Sequence, residues 1–126
     1  MAAKRVFIAF AKEDEQTKIL FCGQAKNATV PYEFTDMSVK EPYDEKWKSH
    51  CRTRIKGCDG MIVLVSKNTK KADGELWEIK CGKEEGLRMR GIYIGGASST
   101  DKPAEMYGTL CEEWTWDNVK KFIESL

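Results

Sequence analysis

Met61-Ile62-Val63-Leu64-Val65-Ser66 decides the fold. Five uninterrupted apolar residues, three of them β-branched, read as a strand covered on both faces, as strands inside parallel sheets are. The helix-like run Glu75 to Gly86 follows it. Ser66 to Thr69 then lies at the strand's carboxyl end, where open α/β sheets place their ligands, and Trp77-Glu78 falls on the first turns of the next helix.

Working outward, Val6-Phe7-Ile8-Ala9-Phe10 makes a second buried strand, followed by the polar turn Ala11-Lys12-Glu13-Asp14. Asp14 is placed to cap a helix through Ile19, Leu20 and Cys22 that ends near Gly23 or Asn27. Thr29 to Phe34 alternates polar and apolar residues around Pro31, the pattern of an edge strand. Asp36 to Tyr43 reads either as a contact loop or as a solvated connection. Asp44 is placed to cap a helix whose Trp47, Cys51, Ile55 and Cys58 recur at helical spacing, with Gly57 and Asp59-Gly60 stopping it. After the central strand, Leu76, Ile79 and Gly82 face the sheet; Ile92-Tyr93-Ile94 is a fourth strand closed by Gly95-Gly96, and a last strand falls around Leu110 to Trp114. Asp117 is expected to cap a final helix striped by Val119, Phe122, Ile123 and Leu126.

This alternation predicts a single domain over 1–126: a three-layer, flavodoxin-like α/β fold with a five-stranded parallel sheet in the order 2-1-3-4-5. In that order the switch point brings Phe10 to Asp14 against Ser66 to Thr69. Basic and acidic residues nearly cancel at a formal charge of +1, which argues against a nucleic-acid partner. No apolar run reaches the length of a membrane span, and Met1-Ala2-Ala3-Lys4 leads into the first strand without a signal-peptide layout, so a cytoplasmic protein is expected. The cysteines, Cys22, Cys51, Cys58, Cys81 and Cys111, are odd in number and contain no C-x-x-C pair; buried or half-buried thiols are expected, and neither a metal site nor a disulfide framework.

Chemistry narrows by elimination. A receiver domain needs an aspartate where the central strand runs into Ser66-Lys67, and Ala11-Lys12-Glu13-Asp14 would repel the phosphate a flavodoxin cradles. Neither G-x-G-x-x-G nor a Walker loop is present. His50 is the only histidine and reads as a helix-surface residue. Carboxylate chemistry survives: Glu78 beside Trp77 can stabilise an oxocarbenium-like centre while the ring excludes water, or the pair is a core edge next to a solvated charge. Lys67, Lys70 and Lys71 either hold a diphosphate at the same mouth or form a solvated loop.

Phe7-Ile8-Ala9-Phe10, Phe34-Thr35-Asp36-Met37-Ser38-Val39, Arg54 to Asp59 running into Met61 to Ser66, and Trp77-Glu78-Ile79 together resemble a bacterial TIR-like domain, TIR standing for Toll/interleukin-1 receptor. The likeness is greatest to the small stand-alone TIR proteins of the Thoeris anti-phage system, and it weakens after Gly96. It implies cleavage of the nicotinamide–ribose N-glycosidic bond of NAD+, taken as substrate with no cofactor. It further implies recapture of the ADP-ribosyl group as a cyclic or conjugated signal nucleotide that activates a partner effector. By position Glu78 matches the catalytic glutamate. Phe10, Ala11 and Asp14 are implied at the nucleotide pocket, with Asp36, Ser66, Thr69 and Trp77 around it, and the 36–43 loop is implied in self-association. Two departures bear on the site. The tryptophan is adjacent to the glutamate instead of preceding it in a Trp-Cys-x-x-Glu pattern, and Gly74-Glu75 stands where relatives carry another aromatic, so Glu75 becomes a rival carboxylate. The alternative function is a TIR-like interaction module that turns over nothing.

Overall fold

A computed structural model of the chain describes residues 4–27, 32–35 and 45–126, with side chains described for 4–24 and 45–126. The loop from Asp36 to Tyr43, the Asp44 cap, and Thr29 to Pro31 lie outside the described residues. The strands are β1 (Lys4–Ala9), β2 (Tyr32–Thr35), β3 (Gly60–Val65), β4 (Arg88–Tyr93) and β5 (Cys111–Glu113). The helices are α1 (Glu15–Asn27), α2 (Glu45–Lys56), α3 (Asp73–Glu84) and α4 (Trp116–Glu124). All strand pairs are parallel, and the sheet runs β2-β1-β3-β4-β5.

Why β3 reads as a continuous apolar run is visible in its two faces. Met61, Val63 and Val65 pack with Phe7 and Ala9 under α2 and α3, against Trp47, Cys51, Ile55 and Ile79. Ile62 and Leu64 pack with Val6, Ile8, Ile92 and Ile94 under α1 and α4, against Phe21, Val119, Phe122 and Ile123. Successive side chains alternate between faces, so a strand covered twice has no polar position to offer. The start of β3 is pinned to β1 through Asp59, whose carboxylate accepts from the Arg5 backbone N–H at 2.8 Å and whose own N–H donates to the Arg5 carbonyl at 2.8 Å.

Several boundaries differ from the sequence expectation. Among the described side chains of α1 the buried ones are Phe21 and Lys18, whereas Ile19 and Leu20 are more than half exposed. Phe21 meets Trp114 at 5.4 Å and Trp116 at 5.2 Å between ring centroids, and this aromatic cluster draws α1 onto the β5–α4 connection. Lys18 buries its stem and sets its ammonium 5.3 Å from the Phe10 ring centroid. Asp14 is not a helix cap: it ends a 3-10 turn, Lys12–Asp14, and its carboxylate reaches across to the β3 loop. Thr115, not Asp117, caps α4, its hydroxyl accepting from Asn118 N–H at 3.1 Å, while Asp117 pairs with Lys121 at 3.2 Å one turn on. The fourth strand begins at Arg88, earlier than its apolar residues suggest, because β3 pairs with it from Gly60 onward.

On α3 the close approach to the sheet depends on Gly82, where a Cβ would sit 2.7 Å from the Met61 Cε atom. Gly86, at φ 74°, takes the left-handed conformation that ends this helix. The five cysteines form no disulfide with one another, with Cys51, Cys58 and Cys81 buried and Cys22 and Cys111 partly so. Among the described residues no helix is long and apolar enough to cross a membrane.

Candidate active site

Because β1 lies between β2 and β3, the loops leaving β1 and β3 diverge, and their carboxyl ends face each other. There the Ser66 hydroxyl donates a short hydrogen bond to Asp14, and Asn68 Nδ2 donates to the second Asp14 oxygen at 3.0 Å. The Asn68 backbone N–H closes on Ser66 Oγ at 3.0 Å, and the Ser66 N–H donates to Thr69 Oγ1 at 2.8 Å. The structure thus brings Asp14, Ser66 and Thr69 together, as one bracket tying the two loops. Asn68, which the sequence reading passed over inside its own Ser66–Thr69 segment, completes it. Both Asp14 oxygens are occupied within this bracket.

Three carboxyl groups, those of Asp73, Glu75 and Glu78, stand on the first turns of α3. Asp73 and Glu75 favour a helix start at this point through the positive end of the macrodipole. Glu75 and Glu78 lie three residues apart and so share a face. That face also carries Ile79 and Gly82, which pulls both acids inside: Glu75 is 2% and Glu78 5% exposed. Glu78 is therefore no solvated charge at a core edge. Its Oε2 accepts from the Cys51 thiol of α2 at 3.8 Å, a weak bond. Burial holds the Glu78 carboxyl well above the usual carboxylate range, the neighbouring Glu75 pushes the same way, and the thiol offsets little of it.

Glu75 faces the switch point. Its carboxyl is pushed up to about 8, chiefly by burial, with Asp14 and Glu13 adding to the effect and the Thr69 hydroxyl opposing it. That hydroxyl is not a formed partner: both Glu75 oxygens are buried without a hydrogen bond among the described residues. Burial and the same Glu78 charge also raise the Cys51 thiol, so it stays protonated and is a donor, not a nucleophile.

The aromatic wall is divided differently from the sequence expectation. Trp77, half-buried, turns toward α2, its ring 5.4 Å from that of Trp47 and 5.6 Å from the Arg52 guanidinium, which Glu84 and Glu85 hold at 3.1 and 2.6 Å. Trp47 instead packs over the start of α3, where a Cβ on Gly74 would lie 3.7 Å from its Cη2. An indole from α2 thus fills the space that Gly74 leaves. Phe10 packs on the opposite face of the sheet, with the α1 and α4 cluster, and Ala11 is fully buried below the turn, its carbonyl accepting from Asp14 N–H at 2.8 Å. Lys70 donates to the Thr100 carbonyl at 2.6 Å, while Lys67 and Lys71 are exposed, as is His50. Asp36 lies outside the described residues. Among the described residues no cluster of three or more His, Cys, Asp or Glu side chains is placed to hold a metal.

Residues 7–99 match the family of the Thoeris protein ThsB, TIR-like domain. The chain belongs to this family. Among solved structures, the ThsB-type chain is similar to the TIR domains of the activated Roq1 resistosome directly recognizing the pathogen effector XopQ. The TM-score is 0.51 at 18% identity, over 84% of this chain and 68% of that one. It is also similar to a prokaryotic SEFIR domain, with a TM-score of 0.55 at 13% identity, over 98% of this chain and 89% of the other. At such identities the likeness speaks for the fold. No curated protein matches the chain.

Proposed function

We propose that this TIR-like chain cleaves the nicotinamide–ribose bond of NAD+, with Glu78 as the catalytic carboxylate, and passes the ADP-ribosyl group to an acceptor that makes a signal nucleotide for a partner effector in anti-phage defence. The supporting observation is the buried Glu78 carboxyl on α3, the helix that follows β3, in a chain of the ThsB family. In the reaction the bond between C1′ and the pyridinium nitrogen breaks, both electrons leave with neutral nicotinamide, and positive charge spreads over C1′ and the ring oxygen. A carboxylate in a site of low dielectric stabilises that charge far more than it would in water. An acceptor hydroxyl, releasing its proton to solvent, or a ring nitrogen, taking up the positive charge, then forms the new bond to C1′.

In the unliganded site burial and the neighbouring Glu75 push the Glu78 carboxyl upward, which disfavours its charged form before substrate arrives. NAD+ brings a positive pyridinium, and a cation within about 4–6 Å favours the charged form of a carboxyl group, so the substrate itself activates Glu78. The loop after β1 and the Ser66–Thr69 segment seat the rest of the dinucleotide, and the 36–43 loop gates or assembles the site by self-association. The protein acts in the cytoplasm.

The test is chromatography of NAD+ with concentrated wild-type protein and Glu78→Gln, the two matched for melting temperature. The proposal expects nicotinamide from the wild type and a loss of at least about a hundredfold in the variant, the size of effect seen when a single transition-state group is removed. Equal turnover in the folded variant removes the assignment. If neither protein acts in any assembled or triggered state, the chain is a non-catalytic docking module.

A further inference from the structure

Three described side chains keep buried polar atoms without a partner: Glu75, Arg90 and Trp114. Arg90 has one unpaired nitrogen, but its guanidinium is anchored by Glu112 at 3.2 Å and lies 5.2 Å from the Phe122 ring centroid. Trp114 is one edge of the aromatic cluster with Phe21 and Trp116. Glu75 is different, because both oxygens of one carboxyl are orphaned at 2% exposure. Leaving a buried polar atom unpaired is destabilising, a burden that is relieved if a ligand supplies the missing partners.

The surroundings say what kind of partner. The charged groups facing Glu75 are acidic: Glu13 and Asp14 from the loop after β1, and Glu78 from its own helix. Thr69 from the loop after β3 and Cys51 of α2, which faces Glu78, bring no charge of their own. Such a setting keeps a proton on the carboxyl, which then offers one donor and one acceptor side by side. A vicinal diol presents two donors to a carboxylate. A primary carboxamide presents one acceptor and one donor, the reverse of a neutral carboxyl.

We infer that Glu75 recognises the nicotinamide carboxamide of the dinucleotide, its O–H donating to the amide carbonyl and its other oxygen accepting from the amide N–H. This rests on the proposed NAD+ cleavage and deepens it: Glu78 serves the ribose, and Glu75, one helical turn earlier on the same face, holds the leaving base. Glu75 is then a specificity residue, not a second catalytic acid, and it makes the protein discriminate a carboxamide from a carboxylate at that ring position.

The experiment is calorimetric titration of NAD+ and of nicotinic acid adenine dinucleotide, both in the form of non-cleavable carbocyclic analogues that keep the ring substituent, into wild type, Glu75→Gln and Glu75→Leu at pH 6.5 and 9.5. Binding is read instead of turnover, and melting curves establish that each variant folds. Wild type should bind NAD+ at least about tenfold more tightly than the acid analogue, and lose about tenfold in affinity at the higher pH as the O–H is removed. Glu75→Gln, whose amide also pairs with a carboxamide, should keep the low-pH affinity for NAD+ at both pH values. Glu75→Leu should bind NAD+ at least about tenfold more weakly. Equal affinity of wild type and Glu75→Leu overturns the inference while leaving the proposed function standing. Failure of wild type to bind NAD+ at all overturns both.

Discussion

Cys51 of α2 points its thiol at the Glu78 carboxyl of α3, 3.8 Å from sulfur to Oε2, and this is the hydrogen bond found at the candidate catalytic group. A thiol is a poor donor, so it offsets little of the upward push that burial gives the Glu78 carboxyl. Cys51→Ser substitutes a stronger O–H donor of nearly the same size. If Glu78 acts as a carboxylate, the acid limb of the pH profile for nicotinamide release should move down by about one pH unit, since about 1.4 kcal/mol of extra stabilisation of the charged form is one unit. An unmoved acid limb means that Cys51 does not tune the group.

Glu75 makes stability depend on pH in the opposite sense to an ordinary ion-paired carboxylate. Its folded value is raised from 4.5 to about 8, so the folded form binds a proton that the unfolded chain has released. The stability associated with that proton is fully present below pH 4.5, declines as pH rises, and is lost by about pH 8. Glu75→Gln removes the dependence. Urea unfolding should find Glu75→Gln gaining on wild type between pH 4.5 and 8 by an amount on the order of 4 kcal/mol, and parallel curves for the two proteins would contradict it.

These acids show where the sequence stopped being informative. Asp, Glu and Lys are read as solvated unless paired, so nothing in the spacing distinguished Glu75 and Glu78 from surface acids; only resemblance raised Glu78. The groups that surround them come from distant segments, Cys51 lying 27 positions from Glu78. The parallel α/β layering was legible because β3 has no polar face, and Trp47, Cys51 and Ile55 were legible because their spacing admits one buried stripe. In α1 the apolar run centres on Ile19, Leu20 and Cys22, whereas Phe21 is the residue that meets Trp114 and Trp116 and Ile19 and Leu20 face outward. An aromatic cluster with a partner near the chain's end leaves no local trace.

The bracket of Asp14, Ser66 and Asn68 ties the loops after β1 and β3, so cutting it should loosen the site before the core. Asp14→Ala leaves the Ser66 hydroxyl and the Asn68 amide without their acceptor. We expect a loss of about 1–3 kcal/mol in urea unfolding, together with faster amide exchange confined to residues 11–14 and 66–72. Uniform exchange across the sheet would show that the bracket is not a local device.

The cap of α4 offers a check on chain geometry that is independent of function. Thr115→Ala removes the hydroxyl that accepts from Asn118 N–H at 3.1 Å and should cost about 1 kcal/mol. Asp117→Ala, which loses an exposed pair with Lys121, should cost less than about 0.5 kcal/mol. The reverse order, measured by thermal melting of both variants, would restore Asp117 as the cap.

The most direct measurement is a crystal structure of the protein with NAD+ or a non-cleavable analogue bound. The account predicts the Glu78 carboxylate released from Cys51 and within hydrogen-bonding reach, about 2.6–3.2 Å, of the nicotinamide-ribose hydroxyls. A dinucleotide bound elsewhere, with Glu78 still closed against the Cys51 thiol, would contradict it.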